Sequence, residues 1–126
     1  MNQHVVVIGG GYAGAATVKR LSQSAPLRIT LIDQNRFHYL QAETHEFIAG
    51  VTRLEDVIID LEEFCIESGK GVTFLQSRVE AIDFEHNSLT TDSETVPYDY
   101  LVIATGAGTL FPKNITGIET HTKDIK

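Results

Sequence analysis

The feature that most constrains this chain is a cluster of glycines placed directly after a short apolar run. Val5-Val6-Val7-Ile8 leads into Gly9-Gly10-Gly11-Tyr12-Ala13-Gly14. The run suits a strand buried on both faces, as in a parallel sheet. From Tyr12 to Ser24 the apolar period changes to that of a helix, with Lys19 and Arg20 on its outer side and Pro26 to stop it. Residues 27–33 alternate and read as a second strand. Strand, helix and strand in so short a stretch make one βαβ unit.

Within that unit Gly9, Gly11 and Gly14 supply the spacing G-x-G-x-x-G. The first glycine permits a tight turn off the strand, the second lets a diphosphate approach the backbone, and the third lets the helix pack on the sheet. The amides of the first helical turn, at Tyr12 and Ala13, then face the phosphates at the positive end of the helix dipole. An acid belongs at the tip of the second strand, and Asp33 stands there, followed by Gln34. A carboxylate at that place accepts hydrogen bonds from ribose hydroxyls and repels a 2′-phosphate, which disfavours an NADP-type ligand. The competing role for Asp33 is to cap the Gln34-Asn35 turn, and for the glycines a plain structural turn. One tight turn does not account for four glycines in six residues.

The rest of the chain extends this pattern. Gln41 to Ala49 reads as a short helix ended by Gly50. A further helix is expected from the capping-box spacing of Thr52 and Glu55, with Leu54, Val57, Ile58, Leu61, Phe64 and Cys65 on one face and Gly69 and Gly71 at its end. Residues 72–76 read as a third parallel strand, and the stretch from Arg78 to Pro97 as a small antiparallel meander. Tyr100-Leu101-Val102-Ile103-Ala104 is another buried-strand run, and no periodic element is evident around Pro112, Asn114 and Gly117. The expected fold is α/β and Rossmann-like: a parallel sheet with helices on both faces plus the meander.

Three blocks, Val5–Gly14, Leu31-Ile32-Asp33 and Tyr98–Ala107 (YDYLVIATGA), give the chain a resemblance to the pyridine nucleotide-disulfide oxidoreductase-like flavoproteins. Within them it most resembles the type II NADH dehydrogenases (NADH:quinone oxidoreductases). The segment from Asn35 to Gly50, with Phe37-His38, Gln41 and Glu46, and Leu54-Glu55-Asp56 carry the same likeness. The resemblance implies FAD on Gly9, Gly11, Tyr12, Ala13 and Gly14, with Asp33 and Gln34 at its ribose. It further implies that Val79 meets adenine through its backbone, that Ala104, Thr105 and Gly106 line the cofactor near the diphosphate, and that Arg36 sits close to ribose and phosphates. The alternatives are a strand-ending turn for Thr105-Gly106 and a solvated loop cation for Arg36.

The resemblance also implies an N-terminal part of an FAD-binding domain, residues 1–126, whose NADH domain would follow in a longer chain. Hydride would pass from NADH to FAD and electrons to quinone, with the 126 residues inactive alone and prone to self-association through uncovered apolar surface. A cytoplasmic location is expected, with peripheral membrane association of the longer protein. The alternatives are a stand-alone FAD- or NAD-binding module without catalysis and a reductase of ferredoxin or rubredoxin type.

Composition narrows the classes further. A net charge of −7 disfavours non-specific binding to nucleic acid. A single cysteine, Cys65, rules out an intrachain disulfide and the redox cysteine pair of related disulfide reductases. Sulfide-oxidising relatives also need several cysteines. The five histidines are dispersed, and no metal site is expected.

Overall fold

The computed structural model describes residues 2–107. Its frame is a four-stranded parallel sheet. β1 (His4–Ile8) and β2 (Arg28–Asp33) are joined by α1 (Tyr12–Ser24), and β5 (Val72–Gln76) and β9 (Tyr100–Ile103) complete the order β5-β2-β1-β9. Between β2 and β5 the chain forms β3 (Phe37–Tyr39), a 3-10 turn at Gln41–Glu43, and α2 (Thr44–Ile48). A second 3-10 turn at Leu54–Asp56, β4 (Ile58–Asp60) and α3 (Leu61–Ser68) follow. Between β5 and β9 run β6 (Val79–Asp83), β7 (Ser88–Thr91) and β8 (Thr95–Pro97), an antiparallel sheet of their own.

The central strand is the most apolar because it has neighbours on both edges and layers on both faces. Val6 and Val7 are fully buried. Its odd-numbered side chains Val5 and Val7 join Ile29 and Leu31 of β2 against Val18 of α1 and Leu61 and Cys65 of α3. The even-numbered Val6 and Ile8 join Ile32 against Leu89, Val96 and Tyr98 of the meander segment. The Rossmann-like class therefore holds, with one refinement. Among the described residues α1 and α3 share one face, and the three-stranded sheet covers the other, where helices were expected. β2 likewise departs from simple alternation: Ile29 through Ile32 are all buried, since both of its faces are covered.

Two further expectations need correction. The helix read from Thr52 does not start there. Ile58 and Ile59, β-branched residues suited to strands, pair with Tyr39 and His38 in a β3–β4 hairpin. The helix begins only after Asp60, whose Oδ1 accepts from the backbone N–H groups of Glu62 (3.0 Å) and Glu63 (3.4 Å). An aspartate before two unpaired first-turn amides is a stronger stop-and-start signal than spacing alone. Among the described residues Thr52 caps nothing, and its buried hydroxyl has no partner. The second correction concerns β9. It pairs only with β1 among the described residues, and Tyr100 and Ile103 are more than half exposed, so this strand is an edge rather than a buried run. The stretch around Pro112, Asn114 and Gly117 lies outside the described residues.

The cap assignment has a measurable consequence. Asp60→Ala should lower the urea midpoint, because it frees two amides and an arginine partner. Thr52→Val, which removes an unsatisfied hydroxyl, should leave the midpoint unchanged or raise it. Equal losses from the two would restore the helix start to Thr52.

Candidate functional site

The strand register decides where the site falls. Ile8 is level with Ile32 on one side and Ile103 on the other, and Asp33 is level with Gln76. The carboxyl ends of β1, β2, β5 and β9 therefore bring Gly9, Asp33, Gln76 and Ala104 to one edge. The chain steps from β1 outward to β2 and β5, then returns to the other side of β1 at β9. Crevices in open α/β sheets form at such a reversal.

Each glycine of the turn has a different physical reason. Gly9 has φ of +100°, a region that L side chains rarely adopt, and a methyl there would overlap the carbonyl of Ala104. At Gly14 a methyl would overlap the carbonyl of Gly9, so this glycine sets the close helix–strand packing expected of it. Gly10, a position the spacing leaves open, is held by packing: a methyl would strike Leu61 of α3. Gly11 differs from all three. The nearest atom to a methyl there would be His38 Cε1, 3.9 Å away. Among the described residues nothing requires Gly11 to lack a side chain, yet it borders a large cavity.

That cavity has a volume of about 1020 Å³. Of the residues expected at the site, Gly9, Gly11, Tyr12, Ala13, Asp33, Gln34, Arg36, Ala104, Thr105 and Gly106 line it. A smaller cavity of about 240 Å³ adjoins it and takes in Val79; Gly9, Asp33, Gln34 and Thr105 border both. Gly14 borders neither and works from beneath. Gly11 is the N-cap of α1 but has no side chain with which to cap it, and the first turn carries no acid. Among the described residues its leading amides thus lack the partners a helix start ordinarily recruits, and Tyr12 and Ala13 lie at the cavity wall.

Asp33 takes the turn-capping role and also ties down the glycine turn. Oδ2 accepts from the Gly10 amide at 2.7 Å, and Oδ1 accepts from the Asn35 amide at 2.8 Å. A carboxylate has about four acceptor positions, so one on each oxygen remains for a ligand hydroxyl. Arg36 is less free than its sequence position suggests. Its guanidinium pairs with Asp60 at 2.8 Å and Glu62 at 3.1 Å, although it still borders the cavity. The hydrogen bond to Asp60 raises the arginine's pKa further, and the same bond holds the Asp60 carboxyl below its usual range.

Sequence reasoning missed two groups. His38 stands over the glycine turn, with its ring edge-to-face against Tyr12 at 4.8 Å between centroids. Its Nε2 is buried without a partner, and burial lowers its pKa. The second group fixes the floor beneath Val79. The carboxylate of Asp92 accepts from the Ser77 hydroxyl and from the Arg78 amide (3.0 Å), and the Asp92 amide donates to the Arg78 carbonyl (3.0 Å). Ser77 in turn donates its amide to the Asp33 carbonyl at 2.9 Å. No spacing announced either group: both depend on contacts between segments far apart in sequence.

The whole of this frame matches one family. Residues 3–126 fit the pattern of the pyridine nucleotide-disulphide oxidoreductases. The chain belongs to that family. It is 39% identical over 122 residues to the sulfide-quinone reductase of Aquifex aeolicus, covering 94% of this chain and 26% of the relative. It is 36% identical over 118 residues to the type II NADH:quinone oxidoreductase of Staphylococcus aureus, covering 91% and 28%. The crystal structure of the Aquifex aeolicus sulfide:quinone oxidoreductase superposes with a TM-score of 0.79 at 36% identity, over 86% of this chain and 25% of that one. The chain thus spans about a quarter of the length of these relatives.

The glycine contrasts give a direct test of the turn. Gly14→Val should destabilise the protein by several kcal/mol (~3 or more), since it overpacks against backbone that cannot yield. Gly11→Val should cost under about 1 kcal/mol, the range for a changed N-cap. Urea denaturation measures both, and a large loss at Gly11 would show that this glycine is structural.

Proposed function

We propose that residues 1–126 form the N-terminal part of an FAD-binding domain, in a flavin-dependent oxidoreductase that takes hydride from NADH and passes electrons to quinone. The observation that carries the cofactor reading is Gly11. Among the described residues it is a glycine without a structural reason, at the mouth of a large cavity, beside helix amides without partners. That combination fits a diphosphate, which needs bare backbone and N–H donors together.

In this reading Tyr12 and Ala13 donate their amides to the diphosphate. Asp33 keeps its bond to Gly10 and accepts the ribose hydroxyls with its remaining lone pairs. The adenine lies in the smaller cavity along the backbone of Val79, which the Ser77–Asp92 bonds hold in place. Gln34, Ala104, Thr105 and Gly106 wall the diphosphate and the space beyond it. Bound FAD supplies the redox centre, while the protein supplies orientation and electrostatics. Thiol chemistry has no support within the chain: Cys65 is packed on the inner face of α3, and burial raises its pKa to about 11.

The NADH-to-quinone direction rests on the likeness to the Staphylococcus aureus enzyme and on the segment around Phe37-His38. One observation favours a second reading. The sulfide-quinone reductase of Aquifex aeolicus has the higher identity, 39%, so sulfide is the competing electron source. No helix among the described residues is long and apolar enough to cross a membrane, and contact with a membrane quinone would be peripheral.

The cofactor claim is checked by titrating FAD and following quenching of its fluorescence. Wild type should bind, and Gly11→Val should lose at least about tenfold in affinity, roughly 1.4 kcal/mol, with its fold intact. Equal binding would remove the diphosphate from Gly11. The 126 residues with added FAD should not oxidise NADH, whereas a longer chain containing them should reduce quinone with NADH and not with sulfide. Turnover with sulfide alone would decide for the second reading.

A further inference from the structure

His38 stands on the wall of the large cavity, and its ring Nε2 is buried and unpaired among the described residues. Leaving such an atom unsatisfied costs about 1–3 kcal/mol. His38 borders the large cavity, and its Cε1 is the atom nearest to the bare face of Gly11. The side chain cannot easily turn away. The Tyr12 ring packs against it edge-on, and the β3–β4 pairing fixes its backbone opposite Ile59.

The charges around it define what a ligand anion would meet. Tyr12 faces the ring from α1, and Asp33 faces it from the tip of β2. Across the β3–β4 pair stand Asp60 and, in ion pairs with Asp60 and Glu62, Arg36. Tyr39 is the other titratable side chain at the cavity wall. The fixed charges are thus one carboxylate, Asp33, and one guanidinium already matched by two carboxylates. A diphosphate entering here adds negative charge beside Asp33 and finds no uncommitted cation among the described residues lining the cavity.

Resting on the reading of this cavity as the FAD site, we propose that His38 takes up a proton from solvent when the diphosphate binds, and so couples FAD affinity to pH. Before binding, the ring carries one N–H. Afterwards it carries two, and the charged ring stands beside the anion at the cavity wall next to Gly11. Burial lowers the pKa of the free ring and Asp33 raises it in part; the added anion strengthens the second effect. The sign follows from linkage. The ligand prefers the protonated ring, so affinity rises as pH falls through the pKa of the complex, and it levels off below the pKa of the free ring. For one linked proton the slope is at most about tenfold per pH unit.

Calorimetric titration near pH 7, in two buffers of different ionisation enthalpy, reads the proton directly. FAD and ADP-ribose are suitable probes because neither diphosphate titrates in that range; adenosine, which has none, is the control. Uptake of a fraction of a proton to one proton with FAD and ADP-ribose, none with adenosine, and weaker FAD binding at about pH 8 than at about pH 6 is the expected result. His38→Gln should bind FAD with a flat pH profile and no uptake. Nuclear magnetic resonance titration of the wild-type His38 ring, with and without ADP-ribose, gives the same answer should that variant fail to fold: its pKa should rise on binding. Binding without uptake and with an unmoved ring pKa overturns the proposal but leaves the FAD site standing. Failure of both FAD and ADP-ribose to bind wild type overturns the two together.

Discussion

The hydrogen bond from the Gly10 amide to Asp33 Oδ2 ties the glycine turn to the second strand, and the rest of the site depends on it. It sets the orientation of a turn that has almost no side chains of its own to stabilise it. The Gly9 amide adds a second tie to the Ile32 carbonyl at 2.8 Å. Gly14 and Leu61 then press the turn from below and behind. The result is backbone held rigidly, with the Tyr12 and Ala13 amides unpaired among the described residues, which is the state a diphosphate site requires before the ligand arrives.

This arrangement makes the fold and the site one object. In the proposed function the same carboxylate that orients the turn would receive a sugar with its remaining lone pairs. The same serine that anchors the meander through Asp92 also holds the backbone of Asp33. The loop that carries Arg36 is fastened to the start of α3 through its ion pairs with Asp60 and Glu62 and through its carbonyl, which accepts from the Leu61 amide at 2.9 Å. Strain on any of these ties would be felt in the cavity without touching a ligand.

Much of this was legible in the sequence because it is local. The run Val5–Ile8, the glycine spacing and the acid at Asp33 all lie within one βαβ unit, and local periodicity reports such units well. The meander was legible for the same reason, through its turn residues. The failures share a different cause. Thr52 and Glu55 have the right spacing for a cap, but Ile58 and Ile59 were taken by β3, a partner some twenty residues away. His38 looked like one of five scattered histidines, because only the β3–β4 hairpin carries it over Gly11. Arg36 looked like a free cation until α3 brought Asp60 and Glu62 to it. The exposed edge at β9 was hidden because an apolar strand reads the same with one neighbour or two.

The central claim is that the first turn of α1 offers bare backbone to a diphosphate while Asp33 holds the sugar. Backbone amide resonances followed during addition of FAD test it most directly. The account predicts that Gly11, Tyr12 and Ala13 shift most, together with the residues flanking Asp33. Saturable binding that left those amides unmoved, with the shifts gathered elsewhere on the protein, would contradict it.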